Sequence, residues 1–415
     1  MNLNPVILAI PMYFTLMAIE LVYEAITRKH TYRLNDAVTN ISTGTLQQFT
    51  NTFLHILNIG IYTLIFEQFA FFHLEPNAWS FLVLFILYDF CYYWEHRVAH
   101  EVSLFWGGHI VHHQSEDFNL SVALRQSSTS IIWGFVFFLP LALIGFSPIQ
   151  LALVGGFNLL YQFWIHTEHI NKMGWLEAVL NTPSHHRVHH GRNPKYIDKN
   201  YAGVFIIWDR MFGTFQAEEE RPTYGITVAL NSWNPVYANF SHYTYLFEMV
   251  RQAKSMKDVF KILFKGPGYL PDYLEPLVKA RKRKLQDPKY NVQHHFSGIN
   301  RYVLVQFVVA LGIIAYFFFM QPQFELSTKL LYGAWIVGTT LLFGFLFEYR
   351  GKWLVALEWV RLAAMPIGLN GLQRAGAELP NFISIALLVF AVLSMVTFFF
   401  VFNKSTNLTQ QLTHV

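Results

Sequence analysis

Long apolar runs separated by short polar loops set the strictest limit on what this chain can fold into. They lie at about 5–26, 46–72, 79–94, 300–320, 327–347, 353–369 and 381–402. A helix needs about 20 apolar residues to cross a bilayer. Inside lipid every backbone N–H and C=O must be satisfied within the protein, and runs of this length do so as helices. Residues 129–165 form two shorter apolar halves broken by Gly145, Ser147 and Pro148, the pattern of a hairpin dipping into the membrane. Charged residues make up 13% of the chain, against about 25% in soluble domains. The expected fold class is all-α, a polytopic integral membrane helical bundle.

The N-terminal segment lacks the basic region and small-residue cleavage site of a signal peptide, so it reads as a retained transmembrane helix. The net charge of +4 gives no reason to expect a nucleic-acid partner. One orientation satisfies the preference of Lys and Arg for the cytoplasmic side. Arg28, Lys29 and Arg33 fall inside, as do the basic region 170–298 and the loop 348–352 with Arg350 and Lys352. The loop 67–78, which has no Lys or Arg, falls outside, together with 321–329 and 370–380. The basic run from Lys279 to Lys284 then faces acidic lipid headgroups on the inner surface.

Against this apolar background the histidines are concentrated. Of 18 in the chain, 11 lie between positions 96 and 190. The stretch WEHRVAHEVSLFWGGHIVHH, from Trp94 to His113, begins where the third apolar run ends. His96 and His100 are four apart, so on a helix they share a face. His109 precedes His112 and His113 by three and four, and His186 precedes His189 and His190 in the same way. Between them stand His166 and His169. An isolated histidine such as His55, His73 or His242 reads as an ordinary polar side chain. The repeated spacing does not, because it is what several imidazoles need to converge on one ion. The only cysteine, Cys91, rules out a thiolate site within the chain. Eight or nine imidazoles exceed the four ligands of one structural zinc and point to two metals with open positions.

Imidazole alone leaves Zn, Cu, Fe and Ni open. The competing reading is a non-enzymatic membrane metal transporter or sensor, but transport sites lie near the bilayer midplane. Here the histidines sit at span ends beside Arg, Glu and Gly, on the cytoplasmic side, within reach of a lipid chain. Oxidising an unactivated C–H bond there requires O2 and a redox metal, and a pair of irons can share the electrons needed.

The boxes H-x3-H (His96, His100), H-x2-H-H (His109, His112, His113) and H-x2-H-H (His186, His189, His190) resemble those of the fatty acid hydroxylase/sterol desaturase superfamily. His166 occupies the place of that family's isolated histidine, and the likeness covers about 80–220. The wording of GHIVHHQSEDFNLSVALRQS and LNTPSHHRVHHGRNPKYIDKNYAGVFIIWDRMFGTF is similar to the glyceryl-ether-cleaving branch. The resemblance implies a non-haem monooxygenase with two Fe ions and a histidine-rich catalytic cap on the cytoplasmic side. Its metal ligands would be His96, His100, His109, His112, His113, His166, His186, His189 and His190, with His185 a tenth candidate and His169 undecided. Tetrahydrobiopterin is the reductant in that branch, and a ferredoxin or cytochrome is the other possible electron donor. The substrate would be a membrane lipid, as ether lipid, sterol or acyl chain, oxidised with O2. Sterol, carotenoid and fatty-acyl hydroxylases of the same superfamily are the alternatives.

Glu101, next to His100, is the carboxylate best placed to act catalytically. Asp89, Glu95, Glu168, Asp198, Asn200 and Asp209 are within sequence range to accept from the free ring N–H groups. Arg125, Gln126, Asn158 and Gln162 read first as helix–helix hydrogen bonds. The expected division is 1–78 as N-terminal transmembrane helices and 79–220 as a fatty acid hydroxylase-type catalytic domain. Residues 221–298 would be a cytoplasmic connecting region and 299–415 C-terminal transmembrane helices, from which no chemistry is expected.

Overall fold

The computed structural model describes residues 5–285, 297–348, 351–374 and 380–412. Arg350 and residues 375–379, used above in placing the loops, lie outside the described residues. The architecture is all-helical, and among the described residues the only β-pairing is an isolated bridge between Leu180 and Phe205. Five helical stretches are long and apolar enough to cross a membrane: Ala9–Thr27, Leu34–Phe69, Gly298–Gln323, Leu326–Glu348 and Phe382–Asn403.

The chain falls into two compact units. Among the described residues, the larger comprises Pro5–Leu230 and Tyr237–Leu285. It opens with α1 (Pro5–Thr27), α2 (Leu34–Phe69) and α3 (Ala78–Glu101). Short helices follow as α4 (Ser103–Trp106), α5 (Ile110–His113), α6 (Leu120–Ala123) and α7 (Leu139–Ile144). Then come α8 (Pro148–Trp164), α9 (Pro183–His189), α10 (Ile207–Phe212), α11 (Pro235–Arg251), α12 (Met256–Phe264) and α13 (Glu275–Leu285).

The apolar run expected at 46–72 is the later part of a longer helix. With 36 residues, α2 measures ~54 Å, well beyond the ~30 Å of a hydrocarbon core. Its polar first turns (Asn35, Asp36, Thr39, Asn40, Ser42, Thr43) are buried in protein, which explains why a non-apolar sequence stays helical there. An N-terminal capping box of Asn77 and Ser80 starts α3, which runs without a break from the apolar stretch into His96 and His100. The 129–165 stretch breaks in two at Gly145 as expected, and its first half is mostly 3-10 turns before α7. Gly145 turns it with φ +114, and a Cβ there would stand 1.9 Å from the Phe72 carbonyl oxygen. Ser147 and Gln150 then cap α8 reciprocally. Tyr62, Leu84, Leu141, Ala142, Phe146 and Val154 form a common core joining α2, α3, α7 and α8.

The smaller unit contains Asn231–Val236 and the C-terminal helices α14 (Ser297–Met320), α15 (Leu326–Glu348), α16 (Trp353–Arg374) and α17 (Asn381–Leu412). The stretch at 353–369 is helical but does not reach the apolarity of the five, because Glu358 and Arg361 lie in its middle. They form a buried ion pair at 2.6 Å. Arg361 also donates to Gln306 Oε1 at 2.7 Å, Gln306 donates to the Ser394 hydroxyl at 2.8 Å, and the Tyr302 hydroxyl donates to Glu358. One polar network therefore ties α14, α16 and α17 together. Removing one member of a buried pair leaves the other uncompensated and costs about 3–5 kcal/mol. Glu358→Ala is expected to lower the thermal midpoint of the purified protein in detergent, and the double variant Glu358→Met/Arg361→Met to regain most of the loss. A midpoint equal to wild type for the single variant would refute this account.

Candidate metal centre

The histidine boxes come together in the larger unit as two adjoining groups. Ring nitrogens of His96, His100, His109, His113 and His189 lie within 4.8 Å of one another, as do those of His112, His166, His186 and His190. Each H-x2-H-H triplet is divided. His109 and His113, four apart, join the first group while His112 joins the second. His186 and His190 join the second while His189 joins the first. The expectation that each triplet shares one face is corrected here, since consecutive helical residues are turned by about 100°. The same division makes the groups neighbours. The rings of His113 and His190 stack at 4.4 Å, and those of His112 and His190 lie 4.5 Å apart.

Backbone carbonyls orient the rings. His96 Nδ1–H donates to Tyr201 O at 2.7 Å, and His112 Nδ1–H to Arg125 O at 2.9 Å. His166 Nδ1–H donates to Gln162 O at 2.8 Å, and His189 Nδ1–H to Lys199 O at 3.0 Å. A neutral imidazole has one N–H, so in these four the Nε2 atom carries a lone pair. Yet His166 Nε2 and His112 Nε2 face each other at 3.2 Å. Two lone pairs do not make a hydrogen bond. His186 Nε2 lies 2.9 Å from His166 Nε2 and 3.2 Å from His190 Nε2, and His96 Nε2 lies 2.9 Å from His109 Nε2. His100 Nε2 and His189 Nε2 are buried without a hydrogen-bond partner. Nitrogen ligands at right angles around an ion, each at about 2.1 Å, stand about 3.0 Å apart. The donors therefore fit a metal cation in each group.

Burial keeps these rings neutral and ready to coordinate. Desolvation pushes His112 down to about 4 and depresses His113, His186, His189 and His190, with the neighbouring imidazoles adding to the effect.

The carbonyls are themselves held. Asp209 accepts from the Tyr201 and Ala202 N–H groups at 2.8 and 2.9 Å. Asp89, from α3, accepts from the Val204 and Phe205 N–H groups, Trp208 Nε1 and Asn158. Asn200, with φ 57, donates to His185 O and Gln216 O. Arg125 is 2% exposed and donates to Val111 O, Asn40 Oδ1 and Gln114 Oε1 at 2.6–2.9 Å. Arg187 clamps Glu218 through two nitrogens and donates to Thr167 O and Ile170 O, joining the His186 helix to the segment after His166.

Of the remaining candidates, Asp198 lies beside a ring of the first group, and the acidic and histidine side chains otherwise stand apart from both groups. Glu101 is 44% exposed and pairs with Arg97 at 2.9 Å. His185 packs against Phe215 and leaves Nδ1 without a partner. His169 lies 3.5 Å from Glu24 and 3.9 Å from Glu20. Asp198 sits 3.6 Å from His100 Nδ1. Glu95 and Glu168 accept from none of the nine rings. Gln162 Nε2 donates to Asn158, and Gln126 to Ala123 O. Arg187 was missed from sequence although it stands inside the third box, because its carbonyl partners carry no sequence signal.

Comparison with known proteins agrees with this centre. The fatty acid hydroxylase family model matches residues 81–214. The alkylglycerol monooxygenase of Homo sapiens is 41% identical over 83% of this chain and 78% of its own length. That of Danio rerio is 38% identical over 77% and 72%. Lathosterol oxidase of Mus musculus is 26% identical over 39% of this chain and 54% of its own. No solved structure matches the chain. Fold and site define an integral membrane metalloenzyme, an O2-dependent monooxygenase acting on a lipid alkyl chain. The chain belongs to the fatty acid hydroxylase superfamily and groups there with the alkylglycerol monooxygenases. Family and donor set together point to iron.

The depressed imidazoles give stability a pH dependence. Unfolded, they take up protons near 6.5; folded and stripped of metal, His112 and His185 resist until about 4, and burial depresses His113, His186, His189 and His190 as well. The unfolded state then binds more protons, so stability falls as pH drops from about 6.5 to about 4. Chelator-treated protein should show a falling thermal midpoint across that window. A flat profile would show that these rings are not neutral when folded.

Proposed function

We propose that this enzyme holds two irons and uses them to cleave the ether bond of alkylglycerols. The observation that carries the reading is the pair of adjoining, inward-facing imidazole groups. His96, His100, His109, His113 and His189 would hold one iron, and His112, His166, His186 and His190 the other. When bound, the irons supply O2 activation. The substrate class comes from the printed names of the Homo sapiens and Danio rerio relatives. In the proposed reaction the ether-adjacent CH2, O2, two electrons and two protons give the hydroxylated carbon and water. The resulting hemiacetal collapses to a fatty aldehyde and the free glycerol hydroxyl. Tetrahydrobiopterin supplies the electrons, and the site faces the cytoplasm, in keeping with the Lys and Arg distribution.

The protein contributes position and water exclusion. The rings of His96, His112, His166 and His189 are held by main-chain carbonyls, so the open positions have a fixed direction. An apolar groove of about 490 Å³ lies between α3 and α8, lined by Phe81, Leu82, Phe85, Val154, Phe157 and Tyr161. Both helices lead to the centre, α3 through His96 and α8 to His166, so an alkyl chain lying in this groove runs toward it.

Purified protein should contain about two irons per chain, and His109→Ala and His186→Ala should each reduce O2-dependent lipid oxidation to background. Stoichiometric zinc without O2-dependent oxidation would overturn the proposal. Cells lacking the gene should accumulate alkylglycerols and lose the corresponding aldehyde, measured in matched lipid extracts. Sterols or hydroxy fatty acids changing instead would redirect the substrate. Turnover supported by tetrahydrobiopterin, and not by a ferredoxin, identifies the reductant.

A further inference from the structure

Hydroxylation with O2 consumes two electrons beyond those taken from the lipid, so a second molecule must reach the centre. The apolar groove suits a lipid and not a polar donor. A separate polar cleft of about 550 Å³ lies elsewhere on the same unit, lined by Glu168, Arg187, Glu218 and Arg221 among others. Glu168 is two residues from His166, and Arg187 is next to His186.

Only two aromatic rings separate this region from the second imidazole group. Tyr224 stacks on Phe118 at 4.9 Å and 15°. Phe118 stacks on His166 at 5.7 Å and 27°, and lies 5.2 Å from His190. Tyr224 is 8% exposed. Its hydroxyl lies beside the Glu168 carboxylate but makes no hydrogen bond of sound geometry. A buried hydroxyl thus points to a carboxylate on the cleft wall.

The cleft's charged groups differ in commitment. Arg187 is spent on Glu218 and two carbonyls. The ion pair of Glu168 is with Arg221 at 3.6 Å, and Arg221 is 81% exposed, an arrangement worth little and easily displaced. Glu168, 17% exposed, is held only by this exposed arginine and the Tyr224 hydroxyl, so it can accept a fork of two N–H donors, the geometry in which charge-assisted pairing is strongest.

We propose that this cleft binds the electron donor, a reduced pterin, whose adjacent ring N–H and amino groups pair with Glu168 while the buried Tyr224 hydroxyl holds that carboxylate from behind. The inference rests on the pterin reading given above. The donor loses two electrons and two protons to become the dihydro form. Those electrons and protons balance the one oxygen atom released as water.

The test uses full-length, iron-loaded protein in detergent and tetrahydrobiopterin under anaerobic conditions, with binding measured by equilibrium dialysis. Loss of a charge-assisted hydrogen bond corresponds to a fall of about ten- to hundredfold. Glu168→Gln should weaken pterin binding by that factor and raise the KM for pterin in parallel. Its iron content and its KM for lipid should stay at the wild-type level. Tyr224→Phe, which keeps the aromatic stack, should weaken pterin binding severalfold, and Glu168→Asp should retain part of it. Unchanged pterin affinity in Glu168→Gln and Tyr224→Phe, or loss of iron together with pterin binding, would overturn the site. Wild-type protein that binds no pterin and turns over with a ferredoxin would instead overturn the pterin reading itself.

Discussion

The centre depends on one hydrogen-bonding choice, the donation of an imidazole Nδ1–H to a main-chain carbonyl. A neutral histidine can carry its proton on either nitrogen. Donation to Tyr201, Arg125, Gln162 and Lys199 fixes it on Nδ1 in His96, His112, His166 and His189. The lone pairs are then forced inward, where those of His112 and His166 meet at 3.2 Å. In the absence of a cation that arrangement is repulsive, so the protein must hold it against its own preference. The strength of the surrounding network follows from this need.

That network is built from buried charges, each making several hydrogen bonds within the protein. Asp89 and Asp209 accept main-chain N–H groups of the 201–205 segment and so fix the Tyr201 carbonyl. Arg125 does comparable service for His112, anchoring both the Val111 carbonyl and its own. Burial pushes its guanidinium down to about 10, partly offset by Asp36. Asp36 is reached through Asn40, which joins both groups. Both residues belong to the first turns of α2. A helix far longer than a bilayer requires therefore has a physical reason: its apolar part suits the membrane and its polar part supports the second imidazole group.

The histidines that converge were legible because their spacing repeats the helical period and because no thiolate competed. The break between α7 and α8 was legible because Gly145, Ser147 and Pro148 each have a strong local conformational meaning. The division of the triplets was not. His109, His112 and His113 lie on a four-residue helix and its edge, too short for a face to be read from periodicity. The ring-orienting acceptors were sought among Asp and Glu, but they are carbonyls, which every residue has. The early start of α2 was hidden for a related reason. Asn, Asp and Thr are poor helix formers in isolation, and tertiary burial overrode that preference. The Glu358–Arg361 pair was passed over because two charges within an apolar run lower its hydropathy without announcing that they meet.

The site's position follows from the cost of polar groups in an apolar core. Histidines along the middle of α3 or α8 would enter the core these helices share with α2 and α7, where unsatisfied polar groups are expensive. Both helices stay apolar through the body of that core and become polar only toward the centre. The remaining ligand candidates come from short helices and loops, which have little stiffness of their own. Asp89, Asp209, Arg125 and Arg187 supply that stiffness through hydrogen bonds to the backbone. An apolar groove along α3 and α8 and a polar cleft beside His166 then become compatible in one unit. Each lies where the local sequence already has the matching polarity, and the two rows of imidazoles stand where those polarities change.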